Sequence, residues 1–143
     1  MSSDRPWAIH RLGKKRIQEG AYVWKSLLKS GAVVINGTDA PVEPVSPIAS
    51  FYASVSRRTL EGYPEGGYEW WEKMTREEAL KSYTIAAAYG AFQEDIIGSI
   101  EIGKLADFAV LSRDIMKVPE EQILGTEILY TIVNGQIAYQ AKP

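Results

Sequence analysis

The sequence contains no cysteine and a single histidine, His10. The missing thiols exclude a disulfide scaffold and a thiolate zinc site. Catalytic zinc centres take most of their ligands from histidine, so one His and scattered carboxylates cannot build one alone. No apolar run reaches the length of a membrane span. The start, Met1-Ser2-Ser3-Asp4-Arg5, has no hydrophobic signal core. Charge of one sign is also lacking, with 16 Lys and Arg against 18 Asp and Glu and a net charge of −2. That balance gives no basic field for nucleic acid. The basic clusters Lys14-Lys15-Arg16 and Arg57-Arg58 read as solvated helix faces. A cytoplasmic protein with neither nucleic-acid nor membrane partners is expected. Internal repeats and low-complexity tracts are absent as well.

What is present is 143 residues, 45% of them hydrophobic, enough for one ordinary domain or two small pieces. A helix is predicted over Arg16 to Ser30, where Ile17, Ala21, Trp24, Leu27 and Leu28 recur at helical spacing and Gly31 suits the stop. A second is predicted over Pro47 to Ser56, with Ser46 at the cap and Pro47 in its first position. The stretch from Leu60 to Met74 reads as a loop. Between Glu61 and Trp71 it holds three Gly, one Pro and four aromatics. The pattern suits a lid or pocket wall, or an ordered surface loop whose aromatics pack onto the body, and the second reading is favoured for most of these aromatics. Thr75-Arg76-Glu77-Glu78 is a capping box that opens a helix running into Ala86-Ala87-Ala88, with Gly90 ending or bending it.

After Gln93 the composition turns toward strands. Two short β segments are expected around Gly103-Lys104, and a helical turn or two over Pro119 to Leu124. A hairpin of Ile128–Val133 and Gln136–Gln140 is expected around Asn134-Gly135, which specifies a type I′ turn.

The segment Ala32-Val33-Val34-Ile35-Asn36-Gly37-Thr38-Asp39-Ala40-Pro41-Val42-Glu43-Pro44 is the most informative stretch of the chain. Its apolar, β-branched start reads as a buried strand, as in a parallel sheet. Asn36 and Gly37 end that strand, so Asp39 lies just past its C-terminal end, where α/β folds place their reacting groups. Pro41 and Pro44 stiffen the loop behind it. The plainer alternative for Asp39 is an Asx-turn or helix cap.

The wording Gly37-Thr38-Asp39-Ala40-Pro41-Val42-Glu43-Pro44-Val45-Ser46-Pro47 resembles the late-barrel motif of the metal-dependent amidohydrolases. It is closest to the branch typified by N-substituted formamide deformylases. A second stretch, Gly98-Ser99-Ile100-Glu101-Ile102-Gly103-Lys104-Leu105-Ala106-Asp107-Phe108, resembles the point where such chains leave the barrel for a small β-sandwich. In it Gly103 reads as the turn and Asp107 as a bond to local backbone, both structural. Trp7-Ala8, Arg11-Leu12-Gly13, Arg16 and Tyr22 follow the family's stretch before its eighth strand, so the likeness runs from about Asp4 to Tyr139. His10 lies outside the family's metal-binding positions and reads as a surface or partly buried histidine.

The resemblance implies an α/β fold: the C-terminal portion of a TIM-barrel amidohydrolase, with the last barrel strand and its helices in 1–93 and the closing strands of a composite β-sandwich in 94–143. A closed barrel needs about 250 residues, so a C-terminal piece of a longer enzyme or a shortened relative is expected. Met1 before Ser-Ser-Asp reads as a misplaced or artificial start. The resemblance further implies that Asp39 binds the active-site metal, or takes the proton of the attacking water, or both. The metal would be divalent, usually zinc, and held only in the intact enzyme, with none expected on this chain alone. The substrate would be a small amide- or formamide-like molecule. No cofactor-binding residue is assigned. Thr38 and Glu43 are candidate hydrogen-bond partners around the site, although a turn hydroxyl and a solvated carboxylate explain them more simply. The alternative is a non-catalytic module that binds partners, or itself, through exposed strand edges. A carboxylate-only Mg²⁺ or Ca²⁺ site is disfavoured, since no Asp-rich loop of the required spacing occurs.

Overall fold

A computed structural model describes residues 1 and 3–142. Five helices come first: α1 (Arg5–Gly20), α2 (Trp24–Lys29), α3 (Pro47–Ser56), α4 (Arg76–Tyr83) and α5 (Ile85–Gly90). Three strands follow: β1 (Phe108–Leu111), β2 (Ile128–Val133) and β3 (Gln136–Gln140). Short 3₁₀ turns cover Trp70–Glu72 and Glu120–Gly125. The strands form one antiparallel sheet in the order β1-β2-β3.

The predicted helix over Arg16 to Ser30 is two helices. Helix α1 starts earlier, at Arg5, is kinked at Gly13, and ends at Gly20. Tyr22 takes a positive φ of 56° before α2 begins. Periodicity alone bridges such a break because Ile17 and Trp24 both face inward. The stop at Gly31 is as expected. Its φ is 87°, its N–H donates to Leu28 O at 3.0 Å, and the Ala32 N–H donates to Leu27 O at 3.2 Å. That bond pair is a Schellman motif, which glycine accommodates without steric cost.

Helix α3 has the predicted bounds, with Ser46 at the N-cap, although the Ser46 side chain makes no capping bond. The capping box of α4 is complete: Glu78 N–H donates to Thr75 Oγ1 at 3.1 Å, and Thr75 N–H donates to Glu78 Oε2 at 2.7 Å. The long helix expected beyond it breaks at Thr84 (φ −120°, ψ −98°) and resumes as α5 through Gly90.

Ile48, Phe51, Tyr52 and Val55 of α3 meet Met74, Ala79, Ile115 and Ile123 in the core, with Trp24, Leu28 and Val34 packed against it. Burying such side chains stabilises by about 1.5–3 kcal/mol each. Arg76 of α4 reaches out to donate to Ile115 O at 2.7 Å and Val118 O at 2.6 Å, tying the helices to the segment between β1 and β2.

One of the two β segments expected around Gly103-Lys104 is present, as β1; residues 98–107 form an irregular loop instead. The loop is closed by Lys104, whose Nζ donates to Ser99 Oγ at 2.7 Å and Glu94 O at 2.5 Å. A Cβ on Gly98 would lie 2.7 Å from Ala88 Cβ, so only glycine lets the loop lie this close to α5. Asp107 bonds backbone, but not locally: its Oδ1 accepts the Asn134 N–H at 2.6 Å, 27 residues away. The hairpin turn has φ 49° at Asn134 and 74° at Gly135, matching type I′. Strand β3 is exposed along its whole length.

The apolar run Ala32–Ile35 departs furthest from expectation. It joins no sheet. Val33 is 54% and Ile35 52% exposed, while Val34 packs on the core and Asn36 is half-buried. Burial therefore alternates with period two, as in a strand with one covered face. A strand needs hydrogen-bonded neighbours on its edges, and among the described residues no strand pairs with 33–35.

Candidate functional site

Asp39 follows that strand-like segment directly. Its φ is 54°, a left-handed conformation that Asp tolerates better than most residues. The Asp39 carbonyl accepts the Val42 N–H at 2.8 Å, closing a turn whose Ala40–Pro41 peptide is cis. The side chain is exposed, and among the described residues its carboxylate accepts no hydrogen bond. The carboxylate is thus neither an Asx-turn acceptor nor a helix cap. The backbone sets the turn and, among the described residues, leaves both oxygens without a hydrogen-bond donor.

Behind Asp39 the segment is tied to two helices through Asn36. Its N–H donates to Ser82 O at 3.0 Å, and its Nδ2 donates to Ser54 Oγ and Ser82 Oγ, each at 3.2 Å. From the sequence Asn36 reads only as a strand terminator. Nothing local marks it, because its partners lie 18 and 46 residues away.

Ahead of Asp39, Glu43 is half-buried and accepts a hydrogen bond from Ser3 Oγ, so it is not a free loop carboxylate. Glu43, Pro44, Ala49, Ala53 and Leu60 line an open cavity of about 350 Å³. Asp39 does not line it. Thr38 is half-buried, and His10 is exposed on α1.

A buried ionic cluster braces the loop after α3. Arg57 Nη2 lies 3.6 Å and Arg5 Nη2 2.7 Å from Glu69 carboxylate oxygens. Arg57 is fully buried at the C-cap of α3, which corrects its reading as part of a solvated helix face. Its Nε donates to Tyr68 O at 2.5 Å and its Nη1 to Tyr22 O at 2.9 Å, with the guanidinium 5.3 Å from the Trp24 ring centroid. Burial pushes the Arg57 pKa below its usual value, against the pull of Glu69 and Glu72. The bond from Arg5 to Glu69 raises the Arg5 pKa.

Glu72 is buried too and accepts the Ser26 N–H at 2.9 Å, capping α2 from outside. With Glu69 and Glu72 turned inward, Trp70 and Trp71 face solvent, 65% and 45% exposed, edge to face at 6.0 Å. The reading that this loop's aromatics pack onto the body is corrected for these two and for Tyr63. The buried carboxylates occupy the inward positions of the turn.

Among the described residues no three His, Cys, Asp or Glu side chains converge so as to hold a metal ion. Asp39 can supply one oxygen ligand, and the chain alone does not fit a metal centre. Nor is any helix among those residues long and apolar enough to cross a membrane.

Comparison with known proteins bears on the whole length. The amidohydrolase family model matches residues 1–139. YtcJ of Bacillus subtilis (strain 168), which carries an amidohydrolase name, is 38% identical over 140 residues, 98% of this chain and 26% of its own. The N-substituted formamide deformylase of Arthrobacter pascens is 34% identical over 116 residues, covering 81% of this chain and 21% of that enzyme. In shape the chain is similar to a crystal structure of an amidohydrolase from Thermotoga maritima MSB8. The TM-score is 0.63 at 23% identity, over 84% of this chain and 26% of that one. The chain thus spans about a quarter of the length of these proteins.

Proposed function

The chain belongs to the amidohydrolase family, and from that membership we propose that it is the Asp39-bearing C-terminal portion of a hydrolase acting on C–N bonds. Residues 1–93 then carry the last strand of a (β/α)₈ barrel with its helices, and 94–143 the closing strands of a small β-sandwich. The observation that carries the reading is Asp39 itself. Among the described residues its carboxylate is unengaged at the end of a strand-like segment, which is held by a turn and three bonds from Asn36. A group fixed this way needs little reorganisation to act.

In the assembled site the Asp39 carboxylate accepts the proton of the attacking water as the C–N bond of a small amide or formamide is opened. The zinc or other divalent ion of such a site, and its remaining ligands, would come from outside these residues. The isolated chain is accordingly inactive.

Asp39→Ala in the enzyme that carries this chain abolishes amide turnover and leaves the circular dichroism spectrum and unfolding midpoint nearly unchanged. Normal turnover in that variant removes Asp39 from the mechanism.

The exposed edges of 33–35 and β3 favour a second reading, a non-catalytic module that pairs with itself or a partner. A monodisperse chain that recovers a partner in pull-downs, with no activity in any complex, supports that reading over the first.

A further inference from the structure

We propose that Asn36 is the positioning residue for Asp39, acting through a two-serine socket on α3 and α4; the proposal rests on the reading that Asp39 carries the chemistry. The socket is defined by its hydrogen bonds. Ser54 and Ser82 are 1% and 2% exposed. Ser54 Oγ donates its hydrogen to Ser50 O at 3.0 Å, and Ser82 Oγ donates its own to Ala79 O at 2.7 Å. Both hydroxyl oxygens are then left only as acceptors toward the strand. A carboxamide nitrogen carries two hydrogens, and Asn36 Nδ2 meets both oxygens at 3.2 Å. Met74 Sδ lies 4.0 Å from the same nitrogen, and the amide orientation follows from the two serine oxygens, since a flipped amide would set oxygen against oxygen.

Position along the chain makes this a positioning device. Among the described residues, no backbone–backbone bond joins the amides of 33–35 to another segment. The Asn36 N–H to Ser82 O bond, 3.0 Å, is the last backbone tether before the Asp39 turn, whose own Val42–Asp39 bond is internal. Asn36 thus sets the exit point of the chain, and only Gly37 and Thr38 separate it from Asp39. Aspartate at 36 has the same shape but presents oxygens where the socket needs donors. It removes both side-chain bonds and adds repulsion, while van der Waals packing is kept.

The test measures backbone ¹⁵N order parameters in the 143-residue chain and in Asn36→Asp. Rigid backbone gives about 0.85 and flexible backbone below about 0.6. The expected result is a fall at Thr38 and Asp39 into the flexible range, with α3 and β2 unchanged. The paired variant Ser54→Ala with Ser82→Ala, which keeps Asn36, reproduces the local fall. If Asn36→Asp fails to fold, Asn36→Ala and the single Ser82→Ala take its place. An unchanged order parameter at Asp39 in a folded variant overturns the proposal. So does an equal loss of order throughout the chain, which would make Asn36 a general core residue. Neither outcome depends on turnover, so the proposal and the catalytic reading of Asp39 fail separately.

Discussion

Glu69 has two guanidinium neighbours and almost no solvent, being 8% exposed. Removing one member of such a cluster strands the others without compensation. Glu69→Ala is expected to cost about 3–5 kcal/mol, the range for breaking a buried ion pair, read from the urea midpoint with an unchanged slope. An effect under about 1 kcal/mol would put the cluster in water rather than in the interior. Arg57 shows the limit of reading residues singly. Arg57-Arg58 has the composition of a surface cluster, yet Arg57 ends α3 with a φ of 56° that turns it inward onto Tyr22, Trp24 and Tyr68. Only the fold brings those carbonyls and that ring together.

At the scale of elements, the capping box of α4 was legible because both its bonds form within four residues. Burial raises the Glu78 pKa, but the bonds from Lys25 and Thr75 outweigh it and leave the group below its usual value of 4.5. A carboxylate with a lowered folded pKa contributes stability above its unfolded pKa and loses it as pH falls through the folded one. Stability should therefore decline below about pH 4.5, and Glu78→Gln should flatten that part of the curve. Thr75→Ala should cost about 1 kcal/mol near neutral pH. Thermal unfolding at a series of pH values checks both, and an unaltered slope in Glu78→Gln would count against the assignment. The hairpin was legible for the same local reason, and the Schellman stop at Gly31 likewise. The break at Thr84 was not, since Ala79, Leu80 and Tyr83 before it and Ala86-Ala87-Ala88 after it support one continuous helix as well as two.

Considered whole, the molecule leaves much apolar surface uncovered. Val33, Ile35, Phe92, Ile100 and Ile102 are exposed, and both the 33–35 segment and β3 present open edges. Such surfaces favour association. Sedimentation velocity should show concentration-dependent self-association of the isolated chain, weakened by Val33→Lys with Ile35→Lys. A monomer at all concentrations, with no binding of a hydrophobic dye, would mean these faces are covered in another way.

By itself the sequence determined the features whose partners lie within a few residues, namely the capping box, the stop at Gly31 and the type I′ hairpin. It also determined the family, through two motifs in order, and singled out Asp39. Tertiary structure alone decided the rest. The apolar run at 32–35 has every local property of a buried strand, but sheet membership depends on neighbours the chain does not provide. Asn36 anchors Asp39 only because α3 and α4 bring Ser54 and Ser82 to one point. Arg57 is buried only because the stretches at 22–24 and 68–69 converge on it. Short-range bonds are written in adjacent residues, whereas pairing, burial and sockets depend on which distant segments meet.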